Sequence, residues 1–333
     1  MIKAEDVSYH DRDPSIRTWV ETMPILFNIP EHAIMGIAYV LARPNLGAAI
    51  SSVVVAQGIC RFAHEIDFVD SQMHVAAPED LSDFRLSSGL SVKAVNPPRD
   101  FHFQYEHELG NCRFDLHFRG LHHPFDIHDA KENVLMTMSD TSNPSDKRFG
   151  DPWKNGHFEL KGHITGTLEL RGKTYAVDCY DGTDHSWGPR SEVSDRAECY
   201  LSVAFDESFG MQLSLPLSLT RDGVVTYDPA RFGFVLEHGE IYGIVEATVE
   251  TPTRIDMIPM FQNIRAVDTR GEVHELRGVA IAAYPYNTFN PAYIMFQTLY
   301  RYEYRGRIGY GQAGDIFGTD YIAEAMSRHG RKG

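Results

Sequence analysis

From Phe101 to Phe118 apolar and polar residues alternate. Phe101, Phe103, Tyr105, His107 and Leu109 share one face, and His102, Gln104, Glu106 and Glu108 share the other. After Gly110-Asn111 the alternation resumes with Cys112, Phe114, Leu116 and Phe118. A period of two broken by Gly-Asn predicts a β-hairpin with an aromatic inner face. The segment HFELKGHITGTLELRGKTYAVDCYDG repeats the pattern through Phe158, Leu160, Ile164, Leu168 and Leu170, with Gly162, Gly166 and Gly172 at bends or bulges. Residues 200–205, 211–219, 233–235, 242–249, 273–283 and 298–308 read the same way. Helical periodicity is confined to 78–84, where Pro-Glu-Asp resembles a helix start, and to DYIAEAMSRHG, with Asp320 as cap and Gly330 as stop.

Strands at regular spacing with almost no crossover helices predict an all-β chain of antiparallel barrels or sandwiches and exclude a parallel α/β sheet. At roughly 150 residues per domain, 333 residues suggest two. The expected division is 1–195 and 196–333, with no Pro-, Ser- or Gly-rich linker and hence a shared interface. Residues 121–152 break the rhythm with repeated His, Asp, Asn and Pro. They read as a long loop over one barrel mouth, and long loops inside compact domains are more often functional than idle.

Charge narrows the partners. The chain carries 31 Lys+Arg against 46 Asp+Glu, a formal net charge of −15, and no basic patch. Nucleic acid and anionic membrane surfaces are therefore poor partners. Four cysteines, Cys60, Cys112, Cys179 and Cys199, lack C-x-x-C spacing and are read as reduced thiols. The polar N-terminus resembles no secretion signal, and the most apolar run, 48–60, is too short to span a bilayer, so the expected location is cytoplasmic. Oligomeric state is left open, a homodimer included.

The densest reactive cluster is Asp178-Cys-Tyr-Asp-Gly-Thr-Asp-His-Ser-Trp-Gly-Pro-Arg190. Gly182 and Gly188-Pro189 are expected to break the strand on either side, placing the residues between them at a rim or bulge. A carboxylic acid against indole and phenol rings loses solvation and holds its proton near neutrality, as a general acid must. The structural alternative is an Asx turn at Asp184 with Trp187 filling the core. If the strand stays extended, Asp184 and His185 point to opposite faces and cannot both touch one substrate.

The run YDGTDHSWGPR, preceded by GHITGTLELRGKTY, resembles the Asp-His-Ser/Glu-Trp signature of the two-domain lipocalin-like family related to carotenoid 1,2-hydratase, kievitone hydratase and the fungal Diels–Alderases. Trp19 and Glu21, then Pro44, Asn45 and Gly47, resemble that family's opening Trp-x-Glu strand and Pro-Asn-x-Gly segment, and RYEYRGRIGYGQAGDIFG its closing strand. The resemblance implies two lipocalin-like domains, an apolar cavity and chemistry without metal or organic cofactor. This chain departs from the family in its histidine-rich 122–128 loop and its shorter length.

These readings converge on a cofactor-independent lyase acting on an apolar terpenoid or aromatic small molecule by hydratase or dehydratase chemistry, with C–C cleavage or isomerisation as variants. Asp184 or His185 is the expected proton donor. Asp181 or Glu21 is expected to orient water, and Trp187 to stabilise a developing cation. Arg190, Tyr180, Trp19 and Asn45 are further candidate contacts. One alternative is a lipocalin-like carrier without chemistry. Another is a metal enzyme using His122, His123, Asp126, His128 and Asp129, although polar-loop histidines are usually solvated. Gly309-Tyr-Gly311-Gln-Ala-Gly314 has dinucleotide-fingerprint spacing but opens no βαβ unit. The strand histidines 117, 157 and 163 are expected to pair with acids across strands.

Overall fold

The structure, a computed structural model, describes residues 1–136, 153, 155–190, 196–286 and 292–327. Eleven strands precede residue 190: β1 Trp19–Ile29, β2 Ile34–Arg43, β3 Ala48–Gln57, β4 Phe68–Ala76, β5 Asp83–Arg85, β6 Ser91–Asn96, β7 Asp100–Glu106, β8 Cys112–Gly120, β9 Phe125–Asp126, β10 Gly156–Leu170 and β11 Lys173–Pro189. They form a curled, open antiparallel sheet in the order β4-β3-β2-β1-β11-β10-β8-β7-β6-β5, with β9 paired to β10. Eleven more follow: β12 Ala197–Asp206, β13 Phe209–Leu219, β14 Val225–Tyr227, β15 Phe232–Glu237, β16 Glu240–Glu250, β17 Arg254–Ile255, β18 Ile258–Pro259, β19 Phe261–Asp268, β20 Val273–Tyr286, β21 Tyr293–Tyr304 and β22 Arg307–Gly318. Of these, eight close into a barrel because β12 pairs with both β22 and β13. The fold is all-β. The second sheet closes, whereas the first remains a half-barrel.

The sequence of β1, WVETMPILFNI, explains how the sheets meet. All eleven residues are buried. Met23, Ile25 and Phe27 join the core of the first sheet with Phe103, Phe114 and Leu116. Leu26 faces the other way and packs with Ile37, Val54, Ala282, Met295 and Leu299 in an apolar seam between the sheets. A strand apolar on both faces belongs between two layers.

The hairpin expected at 101–118 forms, and every residue of its apolar face within β7 and β8 is buried. Its alternation stops one turn early, leaving Leu109 in the turn and 73% exposed. No helix covers 78–84. The Asp80 carboxylate instead accepts from the Ser82 amide at 2.9 Å and from its hydroxyl, a local turn that consumes the helix-start signal. The terminal helix α1, Thr319–Ala325, is capped by Gly318, with Asp320 in its first turn, and Gly330 lies outside the described residues. The expected domain junction at 195 also lies outside them. Among the described residues no helix is long and apolar enough to cross a membrane.

The Gly-x-Gly of 309–314 has a packing cause. A Cβ on Gly311 would meet Ser202 O at 2.2 Å, so β22 approaches β12 only where no side chain intervenes. Since the obstacle is backbone, Gly311→Ala is expected to destabilise by about 1–3 kcal/mol. A lowered urea midpoint at unchanged slope would register it.

Candidate functional site

The strand β11 runs unbroken through Gly182, paired residue for residue with β10 from Lys173 to Trp187. This corrects the expected rim or bulge: ladder bonds on β10 hold the glycine in extended backbone. An extended strand divides the motif between two faces. Gly182, Asp184 and Ser186 turn toward the second sheet, and Trp187 packs against the core of the first. His185, on Trp187's side, lies 5.7 Å from the ring of Phe158.

Between the sheets lies a cavity of about 150 Å³. That is enough for one aromatic ring, since an apolar cavity of about this size holds benzene. Val20, Leu26, Ile37 and Leu41 form one wall, and Met295 and Ile316 face them. Tyr39, Trp153, Tyr200 and Tyr293 supply rings, while Asp184, His157, Arg43, Arg190, Arg196 and Glu198 supply charge and protons.

The acid centre follows from the ladder register, which sets Asp184 directly opposite Glu159. Two carboxyls so placed in a dry interface resist double ionisation. Burial, then the charge of Glu159, raises the Asp184 carboxyl to about 7. Burial raises Glu159 to about 8 against the opposing hydrogen bond from Tyr200. The Tyr200 hydroxyl reaches across from β12 and donates to Glu159 Oε2. His157 Nε2 lies 2.7 Å from Glu159 Oε1. Burial drives His157 down to about 4, so its ring is neutral. Its Nδ1 is buried with no hydrogen-bond partner among the described residues, in a residue that lines the cavity. Arg190 donates to Ser186 Oγ, which is 2.7 Å from Thr22 Oγ1, and so is held beside the same wall.

The remaining predicted residues lie away from the cavity wall. Glu21 is buried and accepts from Trp19 Nε1 and from the His10 amide, each at 3.0 Å, while His10 Nδ1 lies 3.0 Å from its other oxygen. His185 Nδ1 donates to Thr22 O at 2.7 Å, and the His10 ring stacks on Trp187 at 3.8 Å. Burial works to raise Glu21, but the His10, His185 and Trp19 bonds hold it near 2. This knot, with Asn45 binding Arg12, Asp13 O and Ile16 O, fastens the N-terminal segment to the sheet. Asp181 is sealed where β1 and β11 separate, bonded to Asn28, Ser202 and Gln312. Tyr180 lies on the outer surface, stacked on His163.

The 121–136 segment fills the seam against β15, where Phe125 packs on Phe234 at 4.8 Å; residues 137–152 lie outside the described residues. His122 uses both ring nitrogens, donating Nδ1–H to His123 O and accepting from the Lys161 amide at Nε2. His123 pairs with Glu132, and Asp126 Oδ1 accepts from the His128 amide. These partners hold the loop's candidate ligands apart. Among the described residues the convergent His/Asp/Glu groups are His10–Glu21–His185 and the partly exposed His102–Asp115–His117. His163 does pair with Asp178 across the ladder, but His157 and His117 meet acids two residues away on their own strands.

The family model described as a domain of unknown function, DUF7064, matches residues 3–314. The chain belongs to the DUF7064 family. No curated protein sequence matches it. Its fold is similar to three solved structures of low identity. Kievitone hydratase from Nectria haematococca is 8% identical, with a TM-score of 0.54 over 90% of this chain and 89% of that one. The protein CghA is 12% identical, with a TM-score of 0.54 over 91% of this chain and 89% of that one. An AttH-like protein from Nitrosomonas europaea is 11% identical, with a TM-score of 0.60 over 96% of each chain. The resemblance read from the Asp-His-Ser-Trp run is thus a resemblance of fold.

In this DUF7064 chain the sequence reading missed Glu159, Tyr200 and the cavity-lining Tyr39, Arg43 and Arg196. His157 was read only as a strand partner. Glu159 alternates with His157 on the face opposite Phe158 and Leu160, where polar residues are expected, so no local signal marked it.

Proposed function

We propose that this DUF7064 chain is a cofactor-independent lyase that adds water to, or removes it from, an apolar aromatic or terpenoid small molecule. One observation carries the reading: Asp184 and His157 line one cavity, the first poised to hold a proton near neutrality and the second presenting a bare ring nitrogen. In hydration the Asp184 hydroxyl transfers its proton to one alkene carbon. Water bonds to the other carbon and gives its proton to His157 Nδ1, while Nε2–H passes to Glu159. The Tyr200 hydroxyl gives its proton to Asp184 as Glu159 hands its new proton to the Tyr200 oxygen, and proton exchange with water restores the Nε2–H tautomer of His157. The sum is C=C plus H₂O giving H–C–C–OH, and dehydration is the reverse. Tyr39, Tyr200 and Trp153 take the cation-stabilising role first assigned to Trp187.

The test is turnover of styrene-like and prenyl alkenes in D₂O. Each alcohol formed is expected to carry one carbon-bound deuterium. Ligand binding without turnover would leave the protein a lipocalin-like carrier and sink the proposal. The coupled carboxyls also fix a pH profile. Below about 7 both hold protons and Glu159 cannot accept one; above about 8 both are ionised and no acid remains; between them the pair holds one proton, mostly on Glu159, and the reacting form is the minority in which it sits on Asp184. Activity against pH is expected to be bell-shaped, with its maximum between those values.

A further inference from the structure

A chain of net charge −15 places two guanidinium groups, Arg190 and Arg196, on the lining of one small apolar cavity. Random scatter over so acidic a surface does not account for that, and half-buried arginine is rare without an anion to meet it. Among the described residues two carboxyls share the lining, Asp184 and Glu198. Glu198 is already committed, since its Oε2 lies 3.3 Å from Nη1 of the buried Arg231. Asp184, opposed across the ladder by Glu159, is a poor counterion. Arg190 donates through Nη2 to the neutral Ser186 hydroxyl, and its Nε–H is buried with no acceptor among the described residues. A buried donor without an acceptor is unfavourable unless something completes it.

We infer that the substrate carries a carboxylate, received by Arg190 with Arg196 at the cavity's charged end while the apolar body lies against Leu26, Ile37 and Met295. A guanidinium edge matches the two oxygens of a planar carboxylate. The nearby Asp184 and Glu198 weigh against a dianion such as a phosphate monoester. The charged end also orients the ligand, leaving its unsaturated carbon to Asp184 and His157. The inference rests on the proposed reacting site being this cavity, but selectivity for the anion is separable from chemistry.

The experiment is calorimetric titration of the full chain with cinnamate, cinnamyl alcohol and cinnamyl phosphate, which share ring and chain. Cinnamate is expected to bind at least tenfold tighter than the alcohol, and added salt to weaken only the charged ligands. Arg190→Gln is expected to reduce the preference to near unity, and Arg196→Gln to reduce it severalfold, in a chain whose fold is checked by circular dichroism. Equal affinities in the native chain, a preference surviving both substitutions, tighter binding of the phosphate, or no binding of any probe would each overturn the inference. Asp184→Asn separates the two readings: loss of turnover with cinnamate binding retained upholds the acid role whatever the titration of the arginine variants shows.

Discussion

Asp184→Asn is expected to abolish turnover and make the protein more stable. The substitution keeps the shape of the side chain but removes the proton that the reaction needs, a loss of about 10²–10⁴ in rate. Stability follows from the raised carboxyl by linkage. In the unfolded chain the group titrates near 3.8, and in the fold at about 7. As pH rises between those values the unfolded state ionises while the folded state must hold the proton, so the native fold loses stability across that window. Asparagine removes the loss. At about 1.4 kcal/mol per unit, the relief at pH 8 is about 1–4 kcal/mol, and at pH 4 it vanishes. Thermal unfolding checks it: Tm is expected to rise by several degrees at pH 8 and to stay level at pH 4. An inactive variant destabilised at both pH values would make Asp184 a structural residue.

Alternation made the fold legible. Period-two patterning at 101–118 and 156–187 dictates hairpins whatever surrounds them, and tertiary packing had only to join them. Closure was not legible, because it depends on which distant edge β12 meets, and β12 meets both β13 and β22. The site was half legible. Asp184 and Arg190 stood out for their residue type, yet the same run drew in His185, Trp187 and Asp181, which the strand sends to the other face or into the seam. Glu159, His157 and Tyr200 come to Asp184 from β10 and β12, and no local spacing records a cross-strand register. The acid centre depends on two strands and two sheets meeting, so only the assembled fold displays it.

The same geometry sets His157→Gln apart from an ordinary core substitution. Glutamine preserves a polar side chain near Glu159 but offers no ring through which a proton enters at one nitrogen and leaves at the other. Turnover is expected to fall about 10²–10⁴-fold, with ligand affinity nearly unchanged, because the lost step belongs to the transition state. Its pH dependence carries the sharper mark. In the native chain activity is expected to fall at acid pH because Glu159 can no longer take the proton handed on by His157. Without His157 that relay is absent, so the acid limb is expected to flatten while the basic limb, set by loss of the carboxyl proton, remains. Residual kcat measured from pH 5 to 9 distinguishes the two limbs. An unchanged bell at lower height would show that His157 only shapes the cavity, and the water-activating role would pass to another group.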